Sequence, residues 1–322
     1  MDDAGAPGVY SMIKETASGV RSLKVGYACI NTSIKEHFRT CRVATVEKKG
    51  PEILKELTLE NLKLTKRIIE WNIEHGIKFY RMTSEMVVLA THPVNPWDWR
   101  NDPDVIQACS EIKMLRDEHG LRLSTHPGQY SVLNSPNPDV VDRTIADLDY
   151  HAALSELTGA QDMILHLGGK YGDPEAALGR LVNETRALPE PILKRLRFEN
   201  DDRTYNLEDV LFVSEATGVP ACFDIHHHRC NPADAPLEGL INRVYETWRN
   251  TGTPKVHISS GKTAPSDRRH HDFISPEDVD WLLDVLAGRN ADIMVEAKAK
   301  ERAALGVIEL LGERGIRVDG AS

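Results

Sequence analysis

The chain has 322 residues, of which 41% are hydrophobic and 27% charged, with 39 Lys and Arg against 49 Asp and Glu for a formal net charge of -10. This is the make-up of a soluble globular protein with one large α/β domain or two small ones. No apolar run approaches the ~20 residues needed to span a bilayer, no signal-peptide pattern opens the chain, and the five cysteines (Cys29, Cys41, Cys109, Cys222, Cys230) form no CxxC pair, which fits a reduced cytoplasmic location, on the nucleoid in a prokaryote, and supports neither a disulfide framework nor thiolate zinc.

Residues 1–20 are rich in Gly, Ala and Ser and read as a flexible leader, with 21–322 as a single domain. Short apolar runs and helical patterns then alternate. Strands are expected at 25–30, 78–82, 122–125, 162–165, 195–198, 220–223, 254–256 and 291–295. Helices are expected between and after them at 58–75, 104–119, 139–157, 174–187, 206–217, 237–250, 275–286 and 301–311. The first helix carries Leu62, Ile69 and Ile73 at helical spacing. Pro138-Asp139, Asn206 with Asp209, and Ser275-Pro276-Glu277 are start signals, and Gly76, Gly120 and Gly218 stand where C-caps belong. Eight βα units predict a (β/α)8 TIM barrel with its active site at the C-terminal face of the strands. A doubly wound open sheet is the alternative.

Most runs end in a metal-binding type of residue: Asn31, Glu85, His126, His166, Glu199, Asp224 with His227, His257 and Glu296. Donors scattered this widely make one site only if strand ends converge, which a barrel does. In Phe223-Asp224-Ile225-His226-His227-His228 periodicity does not choose among the three histidines. Lys255 shares a strand face with His257, where loss of its proton or carbamylation would relieve its charge. His270-His271-Asp272 lies in a loop with Lys262, Arg268 and Arg269. Imidazole and carboxylate without thiolate suit Zn²⁺, Mn²⁺ or Fe²⁺. The donors exceed one ion's need, so two or three ions are implied, with one carboxylate able to bridge. Net acidity counts against a general nucleic-acid binder, but clustered cations would reverse that sign locally.

The segments Tyr27 to Asn31, Ser124 to Tyr130, His166 to Gly169, Arg197 to Asp201, Phe223 to His228, Lys255 to Ser260, His270 to Asp272 and Val295 to Lys298 together resemble the UV damage endonucleases, (β/α)8 barrels related to the endonuclease IV type of abasic-site nuclease. The resemblance runs from about Lys24 to about Lys300. It implies a DNA repair endonuclease that acts on double-stranded DNA. Such an enzyme nicks the phosphodiester immediately 5′ to cyclobutane pyrimidine dimers and 6-4 photoproducts by metal-assisted hydrolysis, leaving a 3′-hydroxyl. It implies three divalent ions, Mn²⁺ first and Zn²⁺ as an alternative, on His126, His166, Glu199, Asp224, His227, His257, His270 and Glu296, with His271 a rival to His270. Catalytic roles fall to Glu199, Lys255 and Glu296, and Lys255 is the candidate for N6-carboxylysine. Gln129 and Tyr130 match residues that enter the duplex at the lesion, and Tyr27 and Asn31 match further lesion contacts, although Asn31 could equally be a strand-end turn residue. A wedge fills the gap left by an extruded nucleotide, and a poorly stacked photodimer is cheaper to extrude. Lys262, Arg268, Arg269 and Lys170 are candidates for phosphate contacts. A monomer with no membrane partner is expected. The rival readings are a metal-dependent sugar isomerase-like barrel and a non-catalytic damage-binding protein.

Overall fold

The computed structural model describes residues 23–321, so the expected leader lies outside the described residues. Strands β1 (Val25–Ala28), β2 (Phe79–Arg81), β3 (Arg122–Thr125), β4 (Asp162–His166), β5 (Leu196–Glu199), β6 (Ala221–Asp224), β7 (Lys255–Ile258) and β8 (Asp292–Val295) pair in parallel in chain order. β8 returns to β1, with Ile293 opposite Val25, and closes the ring. The fold is the expected (β/α)8 TIM barrel. Closure excludes the open sheet, whose outer strands would lack partners.

The helices are α1 (Val43–Lys49), α2 (Glu52–Glu74), α3 (Pro103–Glu118), α4 (Pro138–Thr158), α5 (Pro174–Ala187), α6 (Glu190–Leu193), α7 (Leu207–Thr217), α8 (Ile225–Cys230), α9 (Leu237–Thr247), α10 (Pro276–Leu286) and α11 (Glu301–Glu313). All eight expected helices are present. The additions, α1, α6 and α8, have seven, four and six residues, too few to show a 3.6-residue period. α2 starts well ahead of 58 because Gly50, at φ 90, and Pro51 break the chain just before Glu52. α9 stops at Thr247, ahead of the expected 250, where the Trp248 indole turns inward and donates to the Ala221 carbonyl at 2.6 Å. The start signals act as expected: Asn206 and Asp209 form a complete capping box, and Ser275 caps α10. Gly218 closes α7 in a left-handed conformation at φ 78.

Period-two alternation sorts each strand into a helix side and a lumen side. Leu123, Phe198, Phe223, Val256 and Ile293 join the main apolar core under the helices. Each is worth about 1.5–3 kcal/mol when fully buried. Their neighbours carry polar groups into the lumen. At the N-terminal end Arg122 pairs with Asp162 at 2.6 Å and Asp292 at 2.8 Å, and Arg197 lies 3.2 Å from Asp162. β3 and β8 are not sheet neighbours, so the Arg122–Asp292 pair crosses the lumen. Gly26 lies against β2 so closely that a Cβ would sit 1.9 Å from the Phe79 carbonyl oxygen, and only glycine lets the strands close there. A cavity of 890 Å³ opens at this N-terminal end beside Arg122, Asp162, Arg197 and Asp292. In a barrel that face serves stability, and chemistry belongs to the opposite one.

Candidate metal centre

At the C-terminal face the same alternation aims donors inward. Glu199 ends β5, is buried, and stands at the centre. Its Oε1 accepts from His257 Nδ1 at 2.8 Å and lies 3.6 Å from His227 Nδ1. Its Oε2 lies 3.4 Å from His126 Nε2 and 3.7 Å from His166 Nε2. Glu296 stands just past β8, with Oε1 3.3 Å from His257 Nδ1. Three sets of converging donors result: His126, His166 and Glu199; Glu199, Asp224 and His227; Glu199, His257 and Glu296. Glu199 belongs to all three.

The three consecutive histidines separate because β6 passes directly into α8. At about 100° per helical residue, successive imidazoles point in different directions. His226 turns to the Asp267 carbonyl at 3.1 Å, and His228 packs on Phe223. His227 faces Asp224, whose Oδ1 also accepts the His227 amide at 2.7 Å as the N-cap of α8. Asn200, absent from the sequence reading, locks this corner. It exchanges two 2.9 Å bonds with the Asp224 backbone, and its carbonyl accepts from His227 Nδ1 at 2.9 Å. His270 lies edge-on to His226 and tilted to His227, with ring centroids 5.8 and 6.3 Å away. His271 turns to Phe273 and lines a separate cavity with Arg229.

Electrostatics prepares these groups for cations. Burial opposes ionisation of Glu199, but His257, His166 and His126 outweigh it and hold the carboxyl well below its ordinary range. Burial likewise opposes ionisation of Glu296 and is overcome by Arg81 and His257. Burial lowers His126 to about 4, so its imidazole is neutral at neutral pH and free to ligate. His227 is raised to about 9: burial pushes down, but Asp224, Glu199 and Glu296 prevail. Four buried atoms of the cluster lack a hydrogen-bond partner: His166 Nδ1, Glu199 Oε2, Asp224 Oδ2 and His257 Nε2. An unpaired buried polar atom costs about 1–3 kcal/mol. That concentration, in a set made only of imidazole and carboxylate, fits divalent cations of the Zn²⁺ and Mn²⁺ type.

The other predicted site residues divide. Lys255 is fully buried one step below His257, donating to Ser124 Oγ at 3.2 Å and lying over the Phe79 ring. Burial brings its ammonium down to about 8, with Arg81 and Arg122 adding to the push against Cys222 and Asp162. Gln129 and Tyr130 are exposed, Tyr130 at 84%, on the β3–α4 loop. This loop is pinned from Ser131 to Asp147 and from the Val132 amide to Thr144 Oγ1 at 2.8 Å. Tyr27 and Asn31 are both buried, Asn31 just past the C-terminal end of β1. The Tyr27 hydroxyl donates to Asn72 at 2.8 Å and accepts from Asn31 at 2.9 Å, on the helix side of β1. Asn31 Oδ1 accepts the Ser33 and Ile34 amides, which makes it the strand-end turn residue. Lys262, Arg268 and Arg269 sit on a hairpin bridged at Gly261 and His270, with Arg269 held by Asp267 and Arg268 3.5 Å from Asp202. Lys170 lies over the Tyr205 ring. Glu85 is exposed in the loop after β2. The residue that β2 does bring is Arg81, paired with Glu296. Its signal was parity: Phe79 and Arg81 share the lumen face. Beside the donors a 440 Å³ cleft runs along His126, Gln129, His166, Arg203 and His227.

Comparison with known proteins places the chain in a family. The family described as UV-endonuclease UvdE matches residues 23–321. The UV DNA damage endonuclease of Bacillus pumilus (strain SAFR-032) is 38% identical over 272 residues, covering 82% of this chain and 84% of that protein. The crystal structure of SacUVDE superposes with a TM-score of 0.84 at 31% identity, over 91% of this chain and 99% of that one. Endonuclease IV from Thermus thermophilus, at a TM-score of 0.53 and 17% identity over 77% of this chain and 93% of its own, shares the fold alone. The chain belongs to the UvdE family of UV endonucleases.

Proposed function

We propose that this UvdE-family chain is a metal-dependent repair endonuclease that nicks double-stranded DNA immediately 5′ to cyclobutane pyrimidine dimers and 6-4 photoproducts by hydrolysis, leaving a 3′-hydroxyl. The observation that carries the reading is Glu199, one buried carboxylate common to three donor sets. Three divalent ions, Mn²⁺ before Zn²⁺, would be held by His126, His166 and Glu199, by Glu199, Asp224 and His227 with His270 alongside, and by Glu199, His257 and Glu296. When bound, such ions lower the pKa of water and neutralise charge developing on a phosphodiester.

The chain's own residues do the rest. Glu199 and Glu296 stay ionised, and Arg81 holds Glu296 in place. Asn200 fixes Asp224 and His227 relative to β5. Tyr130 and Gln129, projecting from a pinned loop, fill the space of an extruded lesion. Lys262 and Arg268 stand on the rim for backbone phosphates, while Arg269 and Lys170 are partly engaged within the protein. Tyr27 and Asn31 act from behind, holding the β1 loop to α2. Lys255, whose ammonium burial brings down to about 8, is the site for a carboxyl adduct.

The test is a nicking assay on three labelled duplexes carrying a photodimer, an abasic site or no damage, each with Mn²⁺ and with chelator. Mn²⁺-dependent cleavage just 5′ to the dimer with a 3′-hydroxyl is expected. No cleavage by folded, metal-loaded protein would overturn the reading.

A further inference from the structure

Beside the donor cluster, sharing Glu296 and His270 with it, lies a second pocket of 410 Å³ whose two lysines have no role in the site described so far. It is walled by Arg81 from β2, by Arg269 and His270 from the hairpin, and by Glu296, Lys298 and Lys300 after β8. Four cations against one carboxylate are an unusual concentration in a chain of net charge -10. Arg81 and Arg269 already have carboxylate partners. Among the described residues Lys298 and Lys300 have none within 4 Å, so their charge is free for a ligand.

The backbone holding those lysines is built, and at some expense. The Lys298 and Ala299 amides donate to the His271 and Asp272 carbonyls at 3.1 and 3.0 Å, tying the loop after β8 to the hairpin. Lys300 then takes φ 52 and ψ -120, a conformation that favours glycine. The next residue, Glu301, is fully buried and accepts from the Thr32 amide at 2.8 Å and from the Thr32 and Ser33 hydroxyls. A lysine is thus kept in a glycine conformation between a stitched loop and a buried anchor. Its side chain supplies the pocket with charge.

We propose that this pocket is a phosphate subsite for the DNA backbone, in which Lys298 and Lys300 bind a phosphodiester near the one that is cut. The proposal rests on the nuclease reading above and extends it. The pocket shares Glu296 with the donor cluster. Phosphates follow one another every ~3.4 Å of axis along each strand. A strand with one phosphate at the donors therefore carries its neighbours past this wall.

The test uses metal-loaded wild type, Lys300→Gly and Lys298→Ala. Binding to an undamaged fluorescent duplex is measured by anisotropy across a salt series, with thermal unfolding and photodimer nicking on the same samples. Lys300→Gly relieves the strained backbone, so its Tm should match or exceed wild type by about 1–3 °C. Its affinity should nevertheless fall about five- to tenfold near 0.1 M salt, and the slope of log K against log salt should shrink by about 0.9. Lys298→Ala should lose a similar slope. Unchanged slopes in both variants, while wild type nicks the dimer, would overturn the subsite and leave the nuclease reading standing. A lowered Tm for Lys300→Gly with an unchanged slope would make Lys300 structural. Protection of wild type by inorganic phosphate, absent in Lys300→Gly and with equal DNA slopes, would assign the pocket to a free anion instead. No binding of any duplex by wild type would remove both readings.

Discussion

Glu199→Gln is the most searching single change, because it keeps side-chain size and removes one charge. The carboxylate is buried with four imidazole nitrogens at 2.8, 3.4, 3.6 and 3.7 Å. Each of the three donor sets falls from three members to two. Asp224→Asn weakens only the set with His227. Metal content per chain after gel filtration should therefore fall by more than one ion in Glu199→Gln and by one in Asp224→Asn. Metal stabilisation of a transition-state charge is worth several kcal/mol, and at 1.36 kcal/mol per tenfold single-turnover nicking should drop by about three orders of magnitude or more. Breaking a buried charged pair also costs about 3–5 kcal/mol, so circular dichroism must first show that the variant is folded at the assay temperature. A folded Glu199→Gln protein with full metal content and nicking within tenfold of wild type would refute the shared-carboxylate reasoning.

Metal binding should be proton-linked at one set and not at another. His227 sits at about 9 without metal, so at pH 7 an ion entering beside Asp224 displaces a proton. Affinity should climb by up to tenfold per pH unit toward 9, and calorimetry in buffers of different ionisation enthalpy should detect the released proton; His126, at about 4, contributes none. The same shift has a stability consequence in metal-free protein: the folded pKa lies above the unfolded 6.5, so the contribution of His227 is complete below about 6.5 and is lost as pH rises through 9. Tyr130→Ala should leave Tm nearly unchanged, because the ring is 84% exposed. Loss of a stacking contact of about 1–3 kcal/mol should cut photodimer cleavage roughly five- to 150-fold; full activity on the dimer would remove the wedge. Cys109, pushed up to about 12 by burial, should resist thiol reagents in native protein at pH 8 and react only on unfolding. Native mass spectrometry in bicarbonate should find a carboxyl adduct that Lys255→Ala lacks, and its absence from wild type would end the carbamylation idea.

Much of the donor cluster was legible because barrel geometry is encoded at period two. Glu199, His257 and Asp224 each follow a residue of the helix-facing core, so strand parity alone turns them inward. The same rule, applied to β2, selects Arg81 over Glu85: the strand ends at Arg81, and Glu85 lies four residues into a loop that no longer alternates. It also puts Tyr27 on the core side of β1 with Val25. Matching a motif identifies a residue type and says nothing about which side of the strand carries it. Other features had no local signal. The choice of His227 over His226 and His228 depends on α8 starting without a linker after β6, in a helix of six residues that is too short to announce itself. Asn200 works through bonds to a strand 24 residues away, a pairing set by sheet register alone. The candidate donors were therefore visible as types at strand ends, while the residues that orient them became visible only once neighbouring strands were in place.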